Sequence, residues 1–373
     1  MAEFSDDKPF YLAFSRVRGI GPARLRLLLS RFGALANAWQ ASASQLAGAG
    51  LDQKSVDSLV AARKTIIPER ELEAVERAGI TALTWVDDGY PRLLRQIDDP
   101  PPALYVRGAI LDADAWAVAI VGTRRATVYG REVAEMLAGD LVRNHITIVS
   151  GLARGIDAVA HQAALDAGGR TLAVLGCGVD VIYPPEHRKL AQQIMASGAL
   201  VSDYPPGTQP EAANFPPRNR IISGLSLGAI VVEADEQSGA LITANFAAEQ
   251  GREVFAVPGN ILNRSSRGAN RLIQKGAKLV VETGDILEEL NLSAVAEHVE
   301  AQAALPEDDT ERALLARLSH EPVQADELVR ALGLPAEVVT AALAMMELKG
   351  MVRQASGTSF VLARETRPPY RVD

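Results

Sequence analysis

The chain holds a single cysteine, Cys177, in 373 residues. That excludes an intrachain disulfide framework and a cysteine-cluster zinc site, and it fits a reducing compartment. There are five histidines, and no two share ligand spacing with carboxylates, so no metal site is expected. No Gly-rich loop ends in Gly-Lys-Ser/Thr, which removes the P-loop ATPases. No apolar run is long enough to cross a membrane. The first residues, Met1 to Lys8, lack a basic stretch followed by an apolar one; no signal peptide is visible, and a cytoplasmic location is expected. Aromatics are 5% of the composition, which confines any base stacking to a few positions. The net charge of −8 argues against a surface that binds polyanions everywhere.

The acid is unevenly spread. Residues 281–373 carry 8 Lys+Arg against 17 Asp+Glu, whereas residues 118–280 carry 16 against 14. The middle of the chain therefore keeps its cations, and many of them fall in loops.

That middle is organised around Ala117 to Asp157. The apolar run Ala117-Val118-Ala119-Ile120-Val121 breaks at Gly122-Thr123-Arg124-Arg125, and a helical pattern starts at Val128. A second run, Ile146-Thr147-Ile148-Val149, breaks at Ser150-Gly151-Leu152-Ala153-Arg154-Gly155-Ile156-Asp157. Strand, basic Gly loop, helix, repeated, predicts a parallel sheet with crossover helices. Its loops leave the carboxyl ends of the strands, where open α/β sheets bind ligands. Further strand patterns at 171–175, 199–202, 229–233, 253–257 and 278–281 continue the alternation. Leu104 to Gly108 is expected as an edge strand.

The flanks read differently. Residues 1–78 predict a helical domain of SAM-like or helix-hairpin-helix type. Its turns at Gly19-Ile20-Gly21 and Gly48-Ala49-Gly50 suggest a duplicated hairpin. Such a turn either holds a nucleic-acid backbone or simply joins two packed helices. The sheet domain is assigned to 79–295 and a linker to 296–309. Residues 310–373 predict three helices and a hairpin, a winged-helix pattern. Its third helix, 336–349, carries Glu337 and Glu347 against Lys349, which favours contact with protein over DNA reading.

No enzyme motif stands out. Gly176-Cys177-Gly178 is a partial dinucleotide fingerprint with Val181 in place of the third glycine, so no nucleotide cofactor is expected. Ser150, Asp157 and His161 make a poor triad, because an aspartate one helical turn from the histidine does not orient it toward a serine in the preceding loop. Asp157 is better placed to stabilise its helix start. The cations say more. Arg124, Arg125 and Arg154 lie in strand-end loops. Arg218 and Arg220 flank Asn219 at a helix start after Phe215. Arg264, Arg267, Arg271 and Lys275 follow the 253–257 strand. Gathered at one edge, they would form a phosphate groove, with Tyr183, Tyr204 or Phe215 to stack on a base. Four phosphates neutralised on a single strand would give a log affinity–log salt slope of about −3.

At these residues the sequence resembles the DprA/Smf family of DNA-processing proteins. The matching stretches are 120–125, 150–157 with Ala160-His161, 173–180 with Tyr183-Pro184, 215–222, 232–234, 238–244 and 252–259. The resemblance implies an extended Rossmann-like, mostly parallel α/β sheet between the two flanking domains. It implies a non-catalytic protein that binds and protects single-stranded DNA, loads the RecA recombinase during natural transformation, and dimerises through the sheet domain. Carried over by position, the DNA-binding residues are Gly122, Thr123, Arg124, Arg125, Ser150, Gly151, Arg154, Gly155, Phe215, Arg218, Asn219, Arg220, Arg271 and Lys275. Two positions depart from the family pattern: Asp203 replaces a usual Glu and Ala269 a frequent Cys; Ala212 and Ala213 stand near where some relatives carry a lysine. The alternatives are an enzyme acting on a nucleotide or phosphorylated sugar with the same loops, and an adaptor working through the winged helix.

Overall fold

The computed structural model describes residues 7–292, 309–319, 322–348, 352–356 and 359–362. Two compact units divide the chain, Met1–Asn291 and Leu292–Asp373.

The first unit opens with six short helices: α1 (Lys8–Ser15), α2 (Pro22–Phe32), α3 (Leu35–Gln40), α4 (Ala43–Gly48), α5 (Gln53–Ala62) and α6 (Pro68–Arg77). Phe14, Leu25, Leu28, Leu35, Leu46 and Leu59 form their shared core. The duplication is present, but its alignment differs from the Gly-x-Gly reading. Gly19 matches Gly50, both at positive φ (88° and 101°), and Ile20, Leu25 and Leu28 match Leu51, Val56 and Leu59, all buried. The N-caps Gly21 and Asp52 then correspond. A left-handed turn followed by an apolar plug is the repeated unit, and the other glycine of each Gly-x-Gly, Gly21 in the first and Gly48 in the second, has no glycine counterpart in the other copy.

A nine-stranded sheet follows, in the order β1-β2-β6-β5-β4-β3-β7-β8-β9. Its elements are β1 (Thr81–Thr84), α7 (Arg92–Arg95), β2 (Ala103–Gly108), β3 (Ala117–Val121), α8 (Val128–Arg143), β4 (Thr147–Ser150), α9 (Ile156–Asp166), β5 (Thr171–Val174), α10 (Arg188–Ser197), β6 (Ala199–Ser202), α11 (Phe215–Gly224), β7 (Gly228–Val231), α12 (Ala240–Glu249), β8 (Glu253–Ala256), α13 (Arg264–Gln274), β9 (Lys278–Leu279) and α14 (Thr283–Glu289). From β6 to β9 every pairing is parallel. The strands β3 to β7 are buried along their length, as their unbroken apolar runs require when helices cover both faces. β2 is not an edge strand: it pairs antiparallel with β6 on one side and with β1 on the other. The chain winds outward from β3 in both directions, to β4, β5 and β6 and then to β7, β8 and β9. The switch point therefore lies between β3 and β7.

In the second unit the helices Asp309–Leu315, Ala325–Leu332 and Ala336–Leu348 accompany three short antiparallel strands. Leu314, Leu328, Val339, Leu343, Met346 and Phe360 make its core, and Gly333 ends the middle helix in the left-handed region. This is a winged helix. The expected linker up to residue 308 and the Gly357 turn lie outside the described residues. Among the described residues no helix is long and apolar enough to cross a membrane.

Candidate nucleic-acid interface

A crevice of about 650 Å³ opens at the switch point. Gly122 to Arg125 after β3 form one wall. Asp235 and the segment from Gln237 to Ala240, leading into α12, form another, and Tyr183, Phe215 and Asn219 close it from the side.

The walls are held by backbone contacts that tolerate no side chain. Thr123 N–H donates to the Glu233 carbonyl at 2.7 Å, and Ile156 N–H donates to the Thr123 carbonyl at 3.2 Å. Gly155 makes the second contact possible: its φ is +78°, and a Cβ there would lie 2.2 Å from the Thr123 oxygen. Glu233 is buried. Its carboxylate accepts from Thr127 N–H at 2.9 Å, Thr127 Oγ1 at 2.7 Å and Ser265 Oγ at 3.3 Å, tying the first turns of α8 and α13 together. Glu233 is thus a clamp.

Arg124 and Arg125 are exposed at the mouth of the crevice, and neither is ion-paired among the described residues. The Tyr183 and Phe215 rings, which line the same crevice, sit 5.6 Å apart at 43°. Thr123 lines the crevice, and its Oγ1 accepts from Arg125 N–H at 3.2 Å. Asn219 also lines it and donates to the Gly239 carbonyl at 3.3 Å.

Other expected contacts are placed differently. Ser150 is fully buried and donates to the Ile120 carbonyl at 2.6 Å; its side chain braces the sheet. Arg218 is 4% exposed. Its Nη1 donates to the carbonyls of Gly151, at 2.9 Å, and Val174, and its guanidinium lies 5.8 Å from the Phe215 ring centroid. Burial pulls its pKa down to about 10, with Asp157 opposing. Arg218 therefore stays charged at neutral pH and forms the floor beneath the crevice rather than a free phosphate clamp. Arg220 turns to the other side of α11, where it pairs with Asp203 at 2.9 Å and Asp99 at 3.4 Å. Burial works against its charge, but these carboxylates more than compensate and raise its pKa. It lines a separate cavity of about 510 Å³ with Ile97, Asp98, Phe246 and Glu249. Arg154 is exposed but paired with Glu186 at 2.6 Å. Arg271 and Lys275 are exposed and do not line the crevice. α13 starts at the crevice edge and descends, so Lys275 lies about 16 Å further along the axis than Arg264.

The imagined triad is absent. Asp157 is buried and accepts from Gly151 N–H at 3.1 Å and Ala153 N–H at 3.4 Å; burial raises its pKa, with Arg218 opposing. His161 is buried with its pKa lowered to about 3, by burial first and then by nearby positive charge. The Thr171 hydroxyl donates to the Ile148 carbonyl at 2.8 Å and so accepts from His161 Nδ1–H at 2.7 Å. That leaves Nε2 to accept from Leu152 N–H at 3.4 Å. Both groups shape the loop after β4. Asp235 on the opposite wall escaped sequence reasoning as a lining residue; it stands 3.9 Å from Arg264.

Comparison with known proteins agrees with this fold. The family model DNA recombination-mediator protein A matches residues 81–291, and the DprA winged helix domain model matches 298–358. Protein Smf of Synechocystis is 36% identical over 95% of this chain and 99% of its own. The DNA processing protein DprA of Bacillus subtilis is 46% identical over 59% of this chain and 75% of its own. The X-ray structure of DprA from Streptococcus pneumoniae is 37% identical and superposes with a TM-score of 0.66, covering 75% of this chain and 96% of that one. DNA processing protein A from Helicobacter pylori, whose structure describes its single-stranded DNA binding mode, is 32% identical with a TM-score of 0.51, covering 57% and 95%. With the sheet domain matched throughout and the winged helix matched behind it, the chain belongs to the DprA/Smf family of DNA-processing proteins.

Proposed function

We propose that the chain binds single-stranded DNA in the switch-point crevice, protects it, and hands it to the RecA recombinase as a non-catalytic mediator of DNA uptake in the cytoplasm. The observation that carries this reading is that two guanidinium groups without an ion-pair partner among the described residues, Arg124 and Arg125, line one cleft with the Tyr183–Phe215 rings. Phosphates meet the arginines, and a base reaches the rings without being read. Family membership as a recombination mediator supports the RecA step. Dimerisation through the sheet domain is part of the proposal. It is supported by the two-residue strand β9 at the sheet edge and the exposed Leu279 and Val281 beside it.

The crevice volume also suits a small ligand, which keeps the mononucleotide enzyme as a second reading. Asp157 and His161, the titratable groups nearest to chemistry, are both committed to backbone or buried partners, which speaks against it. The test is fluorescence anisotropy with short single-stranded and duplex oligonucleotides, alongside thermal shift with mononucleotides. Single strands should bind with a salt slope near −1.4 for two phosphates, and Arg124→Ala should weaken them on the order of 30-fold. Unchanged affinity in that variant, or stabilisation by mononucleotides alone, defeats the proposal.

A further inference from the structure

Beside the crevice mouth stands a ridge that the proposed site does not use. Val128 and Tyr129 occupy the first turn of α8, and Ile261 and Leu262 the loop before α13. They are 73%, 47%, 78% and 81% exposed. Tyr129 Oη donates to the Pro258 carbonyl at 2.8 Å, fixing the ring against that loop. Glu233 holds the two segments together from beneath through Thr127 and Ser265. These four side chains therefore form one apolar surface on a braced scaffold.

The two segments carry charge of mostly one sign, and Asp235, 3.9 Å from Arg264, is the counter-charge beside them. Segments 124–132 and 258–267 contain Arg124, Arg125, Arg131, Arg264 and Arg267 against a single carboxylate, Glu132, since Glu233 belongs to neither segment and is buried below. An apolar strip flanked by arginines suits a ligand with flat apolar faces and a regular anionic edge. Single-stranded nucleic acid has both, whereas a duplex hides its base faces in the stack. The ridge is also continuous with the crevice, because Arg125 and Val128 belong to the same turn into α8.

We propose that this ridge is an outer stretch of the single-strand path, on which bases leaving the crevice stack on Tyr129 and lie over Ile261 and Leu262 while phosphates meet Arg264 and Arg267. The inference rests on the crevice reading and extends it from a point of attachment to a track.

Length dependence tests it. Labelled thymidine oligonucleotides of about 6 and about 15 nucleotides, short and long against a single module's usual span, are titrated against the full chain. The variants are Arg124→Ala, Tyr129→Ala and the double Ile261→Ser/Leu262→Ser, and the oligomeric state of each is measured by light scattering. Tyr129→Ala should leave the short oligonucleotide within about twofold and weaken the long one on the order of 10-fold. The wild-type salt slope should steepen from about −1.4 to about −3 with length, at about 0.7 per phosphate. Wild-type affinity for the long oligonucleotide in both ridge variants overturns the proposal, as does equal weakening at both lengths. A change of oligomeric state that accounts for the loss also overturns it, and the ridge is then a contact between copies of the chain. Arg124→Ala should weaken both lengths whatever the ridge does, so failure of the crevice reading is told apart from failure of this one.

Discussion

Replacing Arg218 by alanine separates support of the fold from contact with DNA. The side chain is 4% exposed, and its removal leaves the Gly151 and Val174 carbonyls without that donor. A buried group left unpaired costs about 1–3 kcal/mol. Asp157 loses its nearby positive charge as well: a Cβ on Gly151 would sit 2.8 Å from both Arg218 Nη2 and Asp157 Oδ2. Breaking a buried charge pair costs about 3–5 kcal/mol, and the two losses overlap. One term runs the other way, since the Arg218 Nε is itself buried without a partner and its desolvation is relieved. The balance is about 4 kcal/mol, or about 10 °C in melting temperature for a domain of this size. The deficit depends on pH. Burial already raises Asp157, and Arg218 restrains that rise; without Arg218 the carboxyl moves higher still. A carboxyl raised in the folded state contributes stability below its unfolded pKa and loses it as pH rises, so the deficit should be larger near about pH 8 than near about pH 5. Calorimetry of the full chain reads both, with Arg124→Ala as the control that melts within about 2 °C of wild type. An Arg218→Ala variant that melts with wild type yet fails to bind single strands would show the guanidinium working outside the fold, and the argument would collapse.

Other substitutions probe the same framework. Gly155→Ala places a Cβ 2.2 Å from the Thr123 carbonyl at a φ of +78°; thermal melting should register a loss of about 3 kcal/mol, with the Arg124–Arg125 loop displaced and single-strand affinity falling too. His161 has a pKa near 3 against an ordinary 6.5. A depressed base supports folding above its unfolded pKa and loses that support as pH falls, so His161→Gln should remove about 1.4 kcal/mol per pH unit from the acid limb of a denaturation series below about pH 6; an unchanged limb would refute the burial argument. Asp235→Asn should tighten single-strand binding a few-fold at low salt, about 0.5–1 kcal/mol, by removing a like charge from the crevice wall, and weaker binding would contradict that placement.

How much of this was legible in the sequence depends on the range of the interaction. The strands were, because a parallel strand covered on both faces has to be apolar throughout, and the loops at their carboxyl ends followed. Arg218 and Arg220 were read as one cluster, although residues two apart on a helix point about 200° away from each other. That rule separates the two side chains before any coordinates are seen. The same reasoning takes Lys275 down α13, away from the rim. Ser150 differs: nothing local marks a strand-end hydroxyl as a sheet brace, since its partner carbonyl, Ile120, belongs to the neighbouring strand. The Glu233 clamp was hidden for the same reason, its donors Thr127 and Ser265 lying far away in sequence on both sides.

The one acid on the crevice wall that is not buried, Asp235, bears on how a strand would lie there. Of the charged residues lining the crevice, Asp157 and Arg218 are buried, bonded to backbone groups and close to each other's charge. The charges that remain are the exposed Arg124 and Arg125 on the β3 side and the half-buried Asp235 on the β7 side. The two loops carrying them are tied by Thr123 N–H to the Glu233 carbonyl, so the separation of sign is built into the backbone and is not a choice of rotamers. A phosphodiester entering such a slot is drawn to one wall and repelled by the other, which turns its bases toward Tyr183 and Phe215. A carboxylate on the far wall therefore costs a phosphate ligand some affinity and returns orientation.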